Sequence, residues 1–182
     1  MDSNEKIKLT KIEAARRQLH VAIRLWFADD DPVAIHALVY AAHEIIHKIY
    51  KKKGLKELMF DSSTIKDEYR SEFGKMVKED ANFIKHSNSG DGTETIEFKP
   101  GANFLFLCMA ITGMDRMGYS SDLEAAFMFY VYLHNPTWFP EDVANERIPV
   151  ERLDKMRALD KTTFLESYLQ VRAEQRAQGL IP

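Results

Sequence analysis

Apolar residues recur every three to four positions through most of the chain, and no apolar–polar alternation runs long enough to build a sheet. The spacing predicts a first helix over Glu5–Ala28, with Ile12, Ala15, Leu19, Ala22, Ile23 and Trp26 on one stripe. Asp29-Asp30-Asp31-Pro32 ends it and starts the next: Asp31 suits an N-cap and Pro32 the first helical position. The second helix is expected from Pro32 to Lys53, where three lysines complement the negative end of the helix before Gly54. It carries two stripes. Ile35, Leu38, Ala42, Ile45 and Ile49 form one, and His36, Tyr40, His43, His47 and Tyr50 form the other.

Beyond a short turn at Leu55–Phe60, Asp61-Ser62-Ser63 offers caps for a third helix over Thr64–Val77, with Ile65, Tyr69, Phe73 and Met76 facing inward. Lys78–His86 continues it or forms a short helix of its own. Ser87–Thr95 reads as a loop, and Thr95–Lys99 as a short extended piece stopped by Pro100-Gly101. Asn103 is placed to cap a helix over Phe104–Met117, apolar around most of its circumference and therefore expected at the centre of the fold. Ser121-Asp122-Leu123-Glu124 is a capping box for a helix that Asn135-Pro136 closes, with Leu123, Phe127, Tyr130 and His134 along one side. The proline-punctuated Thr137–Pro149 segment would cover the core with Trp138 and Phe139. Glu151–Leu159 and Thr162–Gln178 complete the chain as two helices, the charged Arg172–Arg176 end of the last one in solvent. No linker or repeat divides the pattern, so the expectation is one all-α domain, a helical bundle of six to seven helices.

Composition narrows the function classes. The 182 residues suffice for a sizeable core, and 45% hydrophobic with 29% charged residues is an ordinary globular balance. A net charge of −3 gives no global attraction to nucleic acid, so any such binding needs a local basic patch. Cys108, the single cysteine, lies in the apolar run Phe104–Ile111 and reads as a buried thiol. That run is far shorter than the roughly 20 residues that span a bilayer, and Met1–Lys11 has no apolar signal core. A cytoplasmic protein with no membrane partner is the expectation.

Two constellations carry candidate chemistry. His43-Glu44-Ile45-Ile46-His47 matches H-E-x-x-H, in which two histidines on one helix face bind Zn²⁺ and the glutamate polarises a metal-bound water. A zinc-dependent hydrolase with His43 and His47 as metal ligands and Glu44 as catalytic base is one reading. Its context departs from that pattern. Lys48 follows the second histidine, Tyr50 occupies the glycine place of the extended motif, and a third ligand would have to come from Glu68 or Glu72. Without a metal, the same histidine–tyrosine face is a candidate surface for a homodimer through the second helix. The second constellation is Asn82, Lys85 and His86 at a helix end, an amide, a cation and an imidazole that suit a phosphate.

Several segments, among them Ala14-Ala15-Arg16-Arg17-Gln18-Leu19, Ala22-Ile23-Arg24-Leu25-Trp26, Asp31-Pro32-Val33-Ala34-Ile35-His36, Asn82-Phe83-Ile84-Lys85-His86 and Ile96-Glu97-Phe98, resemble a group of small bacterial proteins. That resemblance implies a helical fold and brings no activity with it. More distantly, Asn82 and His86 resemble the asparagine and histidine of the HEPN superfamily, small helical bundles that are often RNases or nucleotide-binding partners. Ala81 stands in the arginine place of that signature, so the resemblance carries over to Asn82 and His86 alone. It implies a ligand-binding protein whose partner is RNA or a small phosphate-containing molecule, contacted by Asn82, Lys85 and His86, with no cofactor.

Overall fold

A computed structural model describes residues 6–56, 58, 66–85, 91–139 and 149–181. Among them lie seven α-helices and no strand: α1 Lys11–Phe27, α2 Pro32–Lys52, α3 Asp67–Lys85, α4 Ala102–Arg116, α5 Asp122–His134, α6 Val150–Arg157 and α7 Lys161–Ala177. A 3₁₀ turn at Pro136–Trp138 follows α5. The expected all-α helical bundle is what the chain forms. No helix of the described residues is long and apolar enough to cross a membrane.

Local chemistry sets the boundaries. The first helix starts at Lys11, within the expected Glu5–Ala28 span, because Thr10 and Glu13 form a reciprocal capping box. Asp31 caps α2 as expected, its carboxylate accepting from the Val33 and Ala34 amides with Pro32 in the first turn. Gly118 and Gly179, just past α4 and α7, sit at φ +83 and +67, where a Cβ would be strained. The third helix is continuous through Lys85, so the Lys78–Lys85 segment extends it and does not stand apart.

α2 is the hub. It packs against α1, α3 and α4, while α5 packs against α1, α4, α6 and α7. The expected central helix, α4, is heavily buried through Phe106, Leu107, Cys108, Ala110, Ile111 and Met114. It packs tightly on α2 at Gly113, where an added Cβ would lie 2.6 Å from Ile46 Cγ2. Burial pushes the Cys108 thiol up to about 12, consistent with the inert thiol expected from its apolar setting. A second apolar centre joins α1, α5 and α7. Trp26 meets Phe127 at 4.9 Å and Tyr130 at 5.4 Å edge to face, and the Lys161 ammonium caps the Trp26 ring at 3.9 Å.

Five side chains depart from their expected places. Asn103 does not cap α4: Gly101 holds the N-cap position, and Asn103 lies inside the helix, 2% exposed. It is worth more there, because its amide answers two groups of α2 in a dry interface. Glu124 does not return to the Ser121 backbone as a reciprocal box would. Its buried carboxylate accepts from the Ser121 hydroxyl at 3.0 Å and meets His20 Nε2 at 3.3 Å, tying α5 to α1. Tyr69 and Met76 are 55% and 61% exposed, so α3 turns inward through Phe73, Val77 and Ala81 instead. Trp138 touches Phe104 but stays 64% exposed. The Arg172–Arg176 end of the last helix is mostly exposed, as expected, and its two guanidiniums bind Asp122 in the first turn of α5. The expected Asp61-Ser62-Ser63 caps, Ile65 and most of the Ser87–Thr95 loop lie outside the described residues.

Candidate functional site

The polar face of α2 divides between two surroundings. Toward α4, His36, Tyr40 and His43 are buried around the Phe106 ring, whose centroid lies 5.5, 5.2 and 5.5 Å from theirs. Asn103 orders this interface. His36 Nδ1–H donates to its side-chain oxygen at 2.8 Å, and its amide donates to the Pro32 carbonyl at 2.8 Å. That pattern leaves His36 Nε2 as the unprotonated nitrogen, buried and without a hydrogen-bond partner among the described residues. Burial outweighs the Asn103 bond and lowers the His36 pKa. His43 is fully buried, and desolvation drives its pKa down to about 3, with the charge of His47 acting the same way. Both imidazoles toward α4 are neutral core groups.

The H-E-x-x-H pair is thereby split. His43 and His47 stack with centroids 6.0 Å apart, but His43 belongs to the core while His47 lies at the edge of a cleft. Among the described residues no three His, Cys, Asp or Glu groups gather where they could hold a metal ion. Glu68 and Glu72, the third-ligand candidates, are exposed on α3. Glu44 is engaged by a cation. Lys85 Nζ donates to Glu44 Oε2 at 3.2 Å and lies 4.6 Å from the Tyr40 ring centroid. The proposed homodimer face on α2 is largely taken up inside the chain, since four of its five aromatic residues are buried against α4 and its neighbours.

The structure brings one residue from each sequence constellation together: Glu44 of H-E-x-x-H meets Lys85 of the Asn82–Lys85–His86 group. Asn82 lies exposed on α3, three residues before Lys85, and His86 falls outside the described residues. Toward α3, α2 forms one wall of a cleft of about 440 Å³. Glu44, His47 and Lys48 come from α2, and Arg70, Ser71, Gly74, Lys75 and Lys78 from α3. Four cations and one carboxylate thus surround the space. Arg70 is held by Asp67 at 2.8 Å and Glu44 by Lys85, while Lys48 and Lys75 have no ion pair among the described residues. Gly74 leaves the wall open, with nothing within 4 Å of where its Cβ would be.

Sequence reading passed over this cleft because it weighed Lys48 only as a departure from a zinc motif. The signal lay in α3. Ser71, Lys75, Lys78 and Asn82 follow one i, i+4, i+7, i+11 row, while Glu68, Glu72 and Glu79 follow a neighbouring one. Lys75 and Lys78 therefore share a row beside a carboxylate row, along a helix whose totals are nearly balanced.

A second titratable cluster, His20, Ser121 and Glu124, resembles a nucleophile triad only in composition. One imidazole nitrogen, Nε2, faces both the hydroxyl at 3.2 Å and the carboxylate at 3.3 Å, so the ring cannot relay a proton between them. No family model, curated protein or solved structure matches the chain.

Proposed function

We propose that this protein binds RNA through the basic cleft between α2 and α3, as a binding module without catalysis of its own. The observation that carries this reading is the surplus of positive charge around the cleft, four cations against one carboxylate, in a chain of net charge −3. A local patch of that kind is what a chain of negative net charge needs to hold a polyanion. The set of α3 cations that line the cleft, from Arg70 to Lys78, spans roughly 12 Å at 1.5 Å per residue, longer than one phosphate group and suited to successive phosphates of a strand. Lys85 and Asn82 continue it toward the helix end, where the HEPN-like resemblance also puts the contact. Lys48 and Lys75, without ion pairs among the described residues, supply point charges, and Ser71 a hydroxyl.

Fluorescence anisotropy with a single-stranded RNA oligonucleotide tests the proposal. The double variant Lys75→Glu/Lys78→Glu should bind at least about tenfold more weakly, and removing two phosphate contacts should lower the salt slope by about 1.4. Lys85→Ala and His86→Ala should each weaken binding less. No saturable binding by the wild type, or equal binding by the double variant with its helical signal intact, would overturn it.

A further inference from the structure

A second cleft, of about 550 Å³, lies among α5, α6 and α7 and differs in kind from the basic one. Its floor is aromatic. Phe129, Phe164 and Tyr168 form a mutually contacting trio with centroids 5.8 to 6.2 Å apart. Met156 and Leu159 add aliphatic walls, and Arg152 and Arg172 stand among the lining residues. These two guanidiniums are not equivalent. Arg172 gives its Nε to Asp122 at 3.0 Å, whereas the Arg152 side chain makes no hydrogen bond or ion pair among the described residues. The space falls within the roughly 300 to 1,000 Å³ typical of small-molecule sites, which pair an apolar lining with a few convergent polar groups.

We infer that this cleft binds a small carboxylate with an apolar body, such as a medium-chain fatty acid. The apolar body lies on the Phe129–Phe164–Tyr168 floor, displacing water from aromatic and aliphatic surface. The carboxylate takes the uncommitted fork of Arg152 in a bidentate pair. The Arg152 fork is free to take a carboxylate, whereas Arg172 is already held, together with Arg176, by Asp122. The aromatic floor and the single uncommitted fork distinguish this site from the cation-lined cleft between α2 and α3.

Isothermal titration of the full chain with decanoate, decanol and decyl phosphate reads the inference directly. Decanoate should bind one saturable site, at least about tenfold tighter than decanol, because the alcohol cannot use the guanidinium. Arg152→Gln should remove most of that preference, and Ser167→Trp, which puts an indole into the cleft, should abolish binding while the circular dichroism stays unchanged. No saturable decanoate binding, a preference that survives Arg152→Gln, or decyl phosphate binding tighter than decanoate would each overturn it. Lys75→Glu/Lys78→Glu should leave decanoate binding unaltered, so failure here and failure of the RNA reading are separately visible.

Discussion

Two parts of the polar side of α2 both carry histidine and have opposite fates. Toward α4, His36, Tyr40 and His43 are sealed around Phe106, and their polar atoms are arranged by Asn103. Toward α3, Glu44, His47 and Lys48 border an open, cation-rimmed cleft. A single turn of helix separates His43 from His47. The difference teaches that an imidazole's chemistry is set by what packs over it: desolvation makes His43 a neutral core group, while His47 keeps access to a ligand space.

The comparison can be broken most forcefully at Phe106. It fills the space shared by the three buried rings, so Phe106→Ala should cost about 3 to 5 kcal/mol in chemical unfolding. A loss within the range of surface substitutions would mean that the inward face is not the packed one. Next comes the hydrogen bonding that makes this face tolerable for polar groups. Asn103→Ala strands the His36 N–H and the Pro32 carbonyl in a dry interface and should cost roughly 2 to 3 kcal/mol. Lys48→Ala, on the other face, should change stability by no more than about 0.5 kcal/mol.

Acid titration sharpens the contrast further. Below the ordinary histidine value the unfolded chain takes up a proton at His43 that the fold refuses down to about pH 3. The unfolded state therefore binds more protons, and stability falls as pH falls, by at most about 1.4 kcal/mol per pH unit from this group. The contribution should be fully present above neutral pH and be lost progressively from about pH 6.5 down to about pH 3, and His43→Leu should remove that share of the slope. An unchanged slope in His43→Leu would place the acid sensitivity elsewhere. The smallest effect belongs to the link between the two faces. Glu44 and Lys85 are both partly exposed, so a double-mutant cycle on Glu44→Gln and Lys85→Ala should give a coupling of only about 0.2 to 1 kcal/mol, weakening with salt.

Much of the architecture was legible in advance. The caps at Asp31 and Ser121 and the glycines at 54, 118 and 179 mark helix ends through interactions within a few residues, which a sequence displays directly. The all-helical class followed from a period that only a helix satisfies. The misplacements were of another kind. Asn103 has the right chemistry for a cap and was expected to act as one, yet a buried partner 67 positions away claimed it. Tyr69 and Met76 fit an apolar stripe, but α3 packs chiefly on α2 and buries the neighbouring row instead. Glu124 satisfies the capping spacing while its carboxylate turns to His20.

The candidate site shows the same division. The sequence by itself determined that α2 would present histidines, tyrosines and a glutamate on one side, because helical spacing fixes which residues share a face. It also determined that Lys75 and Lys78 share a row on α3. Only the tertiary structure decided which part of that α2 face is core and which is cleft, since burial depends on where α3 and α4 come to rest. Only it joined Glu44 to Lys85, and only it set a free guanidinium beside an aromatic floor among α5, α6 and α7. Those pairings span 41 residues or more than one helix, and no local energy in the chain specifies them before the helices pack.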